Sequence, residues 1–144
     1  MVVRDLQIED IESLSKLYYQ FWNENSNTQK MKNKLIELQK NDAYILLCSF
    51  EGNNITGSVM GIICEDLYGE CQPFLLLENM VVDTTYRKKG IGKALFVELE
   101  KRAKTKGCTQ VILVTETNRK DACGFYESLG FHPTANKGYK KKLL

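Results

Sequence analysis

The chain has 144 residues, of which 43% are hydrophobic and 26% charged, and these proportions predict one globular domain spanning residues 1–144. The formal net charge of +2 argues against a protein that binds nucleic acid or a membrane surface through charge. No apolar run approaches the roughly 20 residues of a membrane-spanning helix. Charge follows directly after residues 2–3, so no signal peptide is expected.

The cysteines indicate the redox environment. There are five, an odd number, and none forms a C-x-x-C pair. Several lie in apolar runs, where a free cysteine packs as a small hydrophobic residue. We therefore expect reduced thiols and a cytoplasmic protein. Because His132 is the only histidine and no paired ligand spacing is present, we expect no metal site.

The first predicted elements are one strand and two helices. Residues 2–6 are typical of a short strand, and apolar positions then recur at helical spacing through residue 22. A polar break at residues 23–27 precedes a second helix. Ser26 or Asn27 is the expected cap of that helix, because either side chain can accept a hydrogen bond from a free N–H group in the first turn.

A hairpin is predicted next. Residues 43–50 are almost continuously apolar, and a turn rich in Gly and Asn separates them from a partner strand over residues 55–65. Gly57 and Gly61 lie in that second strand, where glycine weakens the ladder. They indicate either a bulge or the close approach of another group to the strand backbone.

The central strand is predicted at residues 74–82. Its side chains are apolar on both sides of the pleat, so we expect both faces to be covered. A helix over residues 90–106 follows and should end at Gly107. A strand over residues 110–115 then completes a strand–helix–strand unit, for which a parallel crossover is expected.

The C-terminal segment is predicted to hold one helix and two strands. The helix covers residues 119–129 and is followed by Gly130, and the strands cover residues 131–133 and 138–143. The complete order is β-α-α-β-β-β-α-β-α-β(-β). This order predicts an α/β protein with a mixed sheet flanked by helices.

The segment between the central strand and the third helix has the composition of a phosphate-binding loop. A helix start offers unpaired N–H groups and the positive end of the helix dipole, and glycine lets an anion approach the backbone. Neither a Walker A loop nor a dinucleotide fingerprint fits, because Ala94 and Leu95 stand at positions that those motifs reserve for other residues. The alternative is a basic, solvated helix start. The residues concerned are Arg87, Lys88, Lys89, Gly90, Ile91, Gly92 and Lys93.

Two motifs resemble those of a known family. The Arg-x-x-Gly-x-Gly pattern at residues 87–92 resembles the acetyl-CoA pyrophosphate loop of the GNAT superfamily of N-acetyltransferases, and the stretch over residues 122–131 resembles its second cofactor motif. The predicted element order is also that of the GNAT acyl-CoA N-acyltransferase fold. The resemblance implies transfer of an acetyl group from acetyl-CoA to a primary amine by direct attack in a ternary complex. The second motif is also similar to that of aminoalkylphosphonate N-acetyltransferases.

The resemblance also implies which residues bind CoA. The backbone N–H groups of residues 88–93 would bind the pyrophosphate. The family often has Asn three residues before Ala122, whereas this chain has Arg119 there, so either Asn118 or Arg119 is expected to contact the cofactor. A helix N-cap is the alternative role for Asn118, and ordinary strand pairing is the alternative for the central strand. The further cofactor-binding residues implied are Met80, Val81, Val82 and Phe125.

Two side chains are the expected catalytic groups. A primary amine is mostly charged at pH 7, so a base assists its attack. Glu78 interrupts an otherwise apolar strand and is the expected base; the alternatives are a structural carboxylate, a water chain, or the weaker candidates Glu65, Asp66 and Glu116. The resemblance implies that the Tyr126 hydroxyl protonates the departing CoA thiolate, although a core tyrosine would have the same sequence pattern.

The acceptor is expected to be a small amine. The first two helices and the loop at residues 66–73 should recognise it, and an aromatic cluster lies at residues 18–22. Open alternatives are a protein or peptide amine acceptor and a non-catalytic acyl-CoA-binding regulatory module. A nucleic-acid binder is disfavoured by the near-neutral charge. Members of the family often dimerise, so the resemblance leaves a homodimer open.

Overall fold

A five-stranded sheet is the centre of the structure. The computed structural model describes residues 1–144, which form two units, Met1–Ile112 and Leu113–Leu144. The sheet lies in the first unit, and its first four strands are antiparallel while β5 runs parallel to β4. The parallel crossover expected from the sequence is therefore confirmed. In spatial order the strands are β1 (Val2–Asp5), β2 (Tyr44–Glu51), β3 (Asn54–Cys64), β4 (Phe74–Val82) and β5 (Val111–Ile112).

Four helices accompany the strands. Three lie in the first unit and α4 lies in the second. The Asn27 side chain accepts a hydrogen bond of 2.9 Å from the Lys30 N–H group, so Asn27 is the cap of α2. No helix combines the length and apolar character needed to span a bilayer. The helices are α1 (Ile11–Trp22), α2 (Thr28–Gln39), α3 (Ile91–Thr105) and α4 (Lys120–Ser128).

Helices α1 and α2 cover one face of the sheet. Leu14 and Leu17 of α1 and Leu35 of α2 are buried in one cluster with Cys48 and Val81. Burial raises the pKa of the Cys48 thiol to about 12, so this cysteine stays protonated and packs as a small hydrophobic side chain. Helix α3 contacts the strands through its own buried row, and β4 is therefore covered on both faces, as predicted.

The two glycines of β3 let α3 approach the sheet closely. A Cβ atom on Gly61 would lie 2.6 Å from Leu99 Cδ1, and one on Gly57 would lie 3.0 Å from Leu95 Cδ1. Thr56, beside Gly57, is an extra residue in the ladder with β2, because Ser49 pairs with Gly57 but the next residue pairs with Ile55. Both expected explanations of the glycines, a bulge and a close approach, are confirmed.

The C-terminal strands predicted at residues 131–133 and 138–143 are wrong, because the structure contains no strand after α4. The N–H groups of Thr134 and Ala135 both donate to His132 Nδ1, at 3.2 and 3.0 Å. These donors form a local turn instead of a strand ladder, and Pro133 has no N–H group to contribute.

The strand predicted over residues 110–115 is also shorter than expected. Only Val111 and Ile112 pair with β4, although the Gln110 carbonyl accepts a bond of 2.9 Å from the Leu75 N–H group. β5 is the edge strand of the sheet and has a neighbour on one side only. A continuous apolar run at an edge therefore overestimates the paired length.

Replacing Gly61 by alanine should destabilise the protein by about 1–3 kcal/mol, because the added methyl group collides with the fully buried Leu99. Urea unfolding measures the change. The matched control is Gly124→Ala in α4, where a Cβ atom meets nothing within 4 Å and alanine should be neutral or stabilising. Equal stability of both variants would contradict the close approach of α3.

Candidate functional site

A bulge in β4 determines on which face of the sheet Glu78 lies. Asn79 and Met80 together lie opposite the single residue Val59, between the pairs Met60–Glu78 and Ser58–Val81. Asn79 has φ of 50°, in the left-handed region that asparagine adopts more readily than most residues. An asparagine inside an apolar strand was the available sequence signal for this bulge, which the sequence analysis missed.

The bulge places Glu78 on the face covered by α1 and α2. Met60 and Ser58 are two residues apart on β3 and share a face, so their partners Glu78 and Val81 share it too. Val81 is part of the core cluster under α1 and α2. Glu78 is half-buried, and no neighbouring N–H group, lysine or arginine bonds to its carboxylate. The structure therefore lacks the partner that a purely structural carboxylate would require.

One edge of β4 is open beyond its first residues. β5 pairs with β4 only at Leu75 and Leu76, so the main chain of residues 77–82 has no strand neighbour on that side. On the other side, Val81 and Val82 pair with β3 in the usual way. Val81 is buried, whereas Met80 and Val82 are half-buried. Main-chain groups on the open edge are available to a ligand that approaches as a strand would.

The start of α3 has the geometry of an anion site. Gly90 is the cap residue with φ of 79°, no side chain caps the helix, and no acidic residue lies in its first turn. The first helical bond runs from the Ala94 N–H group to the Gly90 carbonyl, at 3.0 Å, and the N–H groups of residues 88–93 donate none within the protein. Lys88 also has positive φ, at 61°. Successive amides in such a turn point into a concave surface suited to phosphate.

The basic side chains of this loop are exposed. Arg87, Lys88, Lys89 and Lys93 all lie at the surface, while Ile91 and Gly92 are buried at the base of the helix. The Arg87 guanidinium lies 5.3 Å from the ring centre of Phe21 in α1, and Lys89 Nζ lies 4.8 Å from that of Tyr86. These charges are free to meet an anion, and aromatic rings hold two of them near the loop.

Gln20 connects α1 to the segment before the loop. Its side-chain amide donates to Asp83 Oδ2 at 2.8 Å, and its carbonyl oxygen accepts from the Thr84 N–H group at 3.2 Å. The Thr85 N–H group donates to Asp83 Oδ1 at 2.8 Å. Burial raises the pKa of Asp83, but the hydrogen bonds from Thr85 and Gln20 outweigh burial and lower it below its ordinary value of 3.8. No local sequence pattern indicates this contact between residues 63 positions apart.

The second unit holds the remaining predicted site residues. Tyr126 and Phe125 are half-buried on α4 with ring centres 5.2 Å apart, and Phe131 packs against Tyr126 edge-on at 5.8 Å. Asn118 is exposed and lies before the helix. The cap position of α4 belongs to Arg119, whose N–H group donates to the Glu116 carbonyl at 3.1 Å, so the alternative role of Asn118 as a helix N-cap is wrong.

Two cavities lie in the first unit. An apolar one of about 390 Å³ lies between α1, α2 and the sheet, and Tyr18 is the one member of the expected aromatic cluster in its wall. A polar one of about 360 Å³ lies beside Gln20 and Asp83. The loop at residues 66–73, which was expected to recognise the acceptor, lines neither cavity, and its Tyr68 is 86% exposed. No group of three or more acidic, histidine or cysteine side chains is placed to hold a metal ion.

Comparison with known proteins was made on sequence and on structure. The sequence model of the Acetyltransferase (GNAT) family matches residues 9–131. A glucosamine 6-phosphate N-acetyltransferase of Trypanosoma brucei brucei is 44% identical over 55 residues, which are 38% of this chain and 35% of that protein. The chain thus matches about a third of that relative's length.

Solved structures share the fold. The glucosamine-6-phosphate N-acetyltransferase of Arabidopsis thaliana superposes with a TM-score of 0.83 at 24% identity, covering 97% of each chain. AAC(6')-Iy, in complex with the bisubstrate analog CoA-S-monomethyl-acetylneamine, superposes with a TM-score of 0.81 at 19% identity, covering 99% of this chain and 98% of the other. The mixed α/β architecture predicted from the sequence is confirmed.

Removing the Gln20 side chain should raise the pKa of Asp83, because one of the hydrogen bonds that stabilise its ionised form is lost. The comparison of Gln20→Ala with the parent by carboxyl NMR titration measures this shift. The depressed pKa of Asp83 stabilises the folded protein above pH 3.8, and this stabilisation is lost as the pH falls through the folded-state pKa. Because that pKa is higher in Gln20→Ala, the variant should lose the stabilisation at a higher pH. Gln29→Ala, on the exposed surface of α2, is the control and should leave Asp83 unchanged. An unchanged Asp83 titration in Gln20→Ala would contradict the contact.

Proposed function

The chain belongs to the GNAT acetyltransferase family, and we propose that it transfers an acetyl group from acetyl-CoA to the primary amine of a small molecule. The observation that carries this proposal is the start of α3, where the N–H groups of residues 88–93 have no acceptor within the protein. The exposed basic side chains around that start supply the charge that a diphosphate requires.

The proposed role of the open edge of β4 is to hold the acetyl end of the cofactor. Main-chain groups of Met80, Val81 and Val82 would bind the acetyl and pantetheine groups, and a donor on this edge would stabilise the charge that develops on the thioester carbonyl. The part of β4 beyond Leu76 has no strand neighbour on the β5 side, which supports this role. Phe125 and either Asn118 or Arg119 are proposed as further contacts in the second unit. We further propose that residues 1–144 act as one catalytic domain, which the family match across both units supports.

The proposed chemistry is direct attack of the amine on the thioester. The nitrogen forms a bond to the carbonyl carbon, the carbon–sulfur bond breaks, and the CoA thiolate leaves. Glu78 takes the proton from the amine, directly or through water, and the Tyr126 hydroxyl gives a proton to the thiolate. The half-buried, unpartnered carboxylate of Glu78 on β4 supports its part.

A small amine is the proposed class of acceptor. The trypanosome and Arabidopsis proteins named above are enzymes of glucosamine 6-phosphate, an amine on a small molecule, which supports this class. The five cysteines are free, which fits the cytoplasmic location that we propose.

The direct test is release of free thiol from acetyl-CoA in the presence of a panel of amines. We expect thiol release that depends on both the protein and an amine. Thiol release that does not depend on any amine would indicate thioester hydrolysis instead of acetyl transfer. No thiol release with a panel that includes amino sugars, arylalkylamines and peptides would favour a non-catalytic acyl-CoA-binding module.

Glu78→Gln should lower kcat by about 100-fold, because general-base assistance is lost while the side chain keeps its size. CoA affinity, measured by calorimetry, should remain at the parental value. Glu65→Gln, Asp66→Asn and Glu116→Gln remove the weaker candidate bases and should retain kcat. If Glu78→Gln has the parental kcat, Glu78 is not the base, and a water chain or one of those residues takes the proton.

Tyr126→Phe should lower kcat by roughly 10- to 100-fold, since the thiolate would leave without a proton donor. The two rings that pack on Tyr126 are kept, so the variant should retain the fold, as circular dichroism would show. Tyr139→Phe, at a residue 84% exposed, is the matched control. If Tyr126→Phe turns over at the parental rate across the pH range, Tyr126 is not the proton donor.

A further inference from the structure

The apolar cavity between α1, α2 and the sheet has the size of a ligand site. Its volume of about 390 Å³ falls within the roughly 300–1,000 Å³ of small-molecule pockets. Its walls include Leu14, Met31, Leu46 and Met60, and most of the other lining side chains are also apolar. Such walls favour a hydrocarbon body, and they leave the hydroxyl groups of a sugar without hydrogen-bond partners.

The one uncharged residue with a polar side-chain group in the cavity wall is Tyr18. Burial raises the pKa of Tyr18 to about 12, and the Ser58 hydroxyl beside it lowers that value only in part. Tyr18 therefore stays uncharged at physiological pH. The ring packs edge-on against Trp22 with ring centres 5.1 Å apart, so its position in the wall is fixed by packing.

The cavity adjoins the proposed general base. Met60 in its wall is paired in register with Glu78, and both side chains lie on the α1 and α2 face of the sheet. Directly opposed residues on neighbouring strands have Cβ atoms about 4.5–5.5 Å apart. An amine beside the Glu78 carboxylate would thus have the rest of its molecule within reach of the cavity.

Positive charge borders the cavity on the side of α2. Lys30 and Lys34 both contribute to its lining, and Lys34 is neutralised by Glu37, with Nζ and Oε2 2.6 Å apart. Lys30 has no acidic partner. It also lies in the first turn of α2, which contains no acidic residue and already carries the positive end of the helix dipole. This border therefore favours an anionic group.

We propose that the acceptor is a primary amine on an apolar body with an anionic group at its other end. The amine faces Glu78, the apolar body fills the cavity, and the anion pairs with Lys30. This inference rests on the proposed function and narrows its substrate class. The nitrogen gains the acetyl group and gives one proton to the base, and the sulfur takes one proton as the carbon–sulfur bond breaks.

The test compares four amines, three of them small molecules, in the thiol-release assay. 4-(Aminomethyl)benzoate carries the amine, the apolar ring and the anion; 4-methylbenzylamine lacks the anion; and glucosamine 6-phosphate lacks the apolar body. We expect kcat/KM for 4-(aminomethyl)benzoate to exceed that for 4-methylbenzylamine by about two- to fivefold, because Lys30 is exposed and an exposed ion pair contributes at most about 1 kcal/mol. It should exceed that for glucosamine 6-phosphate by about tenfold or more, because burial of the apolar ring contributes a larger free energy. The fourth amine is a short neutral peptide with one lysine, which represents a peptide acceptor.

Two lysine variants locate the anion. Lys30→Gln should remove the advantage of 4-(aminomethyl)benzoate over 4-methylbenzylamine. Lys40→Gln, at the other end of α2 and away from the cavity, should keep that advantage. Equal rates for these two amines in the parent protein would overturn the anionic part of the proposal. A preference for glucosamine 6-phosphate or for the peptide would overturn the whole of it.

Calorimetry separates this inference from the proposed function. The same three small amines are titrated into the protein saturated with CoA. If no amine is turned over, tightest binding of 4-(aminomethyl)benzoate still supports the substrate class, and the missing turnover counts against acetyl transfer alone. Equal or weaker binding of that compound overturns the substrate class, whether or not turnover is seen.

Discussion

The proposed function depends on the backbone N–H groups at the start of α3, which have no acceptor within the protein. They can bind an anion because they are unpaired and no side chain caps the helix. Gly90, with φ of 79°, is the cap residue and has no side chain that could occupy the site. The buried side of the same helix must then pack firmly, and Gly57 and Gly61 allow this because they leave room for Leu95 and Leu99. The uncapped start of α3 and the close packing of its buried side therefore both depend on glycine residues.

The bulge in β4 joins that anion site to a second, apolar one. Without the additional residue at Asn79 and Met80, Glu78 and Val81 would point to opposite faces of the sheet. With it, the carboxylate lies on the face of α1 and α2, beside the apolar cavity, while the strand continues toward the loop before α3. Gln20 then ties α1 to that loop through Asp83. The helix that lines the cavity and the loop that carries the basic residues are therefore mechanically connected.

The sequence predicted those parts of the structure that local patterns determine. The apolar run of residues 74–82 predicted β4 with its observed bounds, and the polar break before α2 predicted a cap at Ser26 or Asn27, of which Asn27 is the cap. The bulge at Asn79 was missed, because it depends on pairing with a strand that precedes it in the chain. The Gln20 to Asp83 contact joins residues 63 positions apart, and no local pattern encodes it. The final strands were predicted wrongly, because a short local sequence does not report whether a partner strand is present.

The measurement that tests this account most directly is the shift of backbone amide NMR signals on addition of CoA. The account predicts that the largest shifts occur at residues 88–93, and that pantetheine, which lacks the phosphates, leaves those signals nearly unchanged. Shifts of equal size with pantetheine, or the largest shifts with CoA at residues distant from the start of α3, would contradict it.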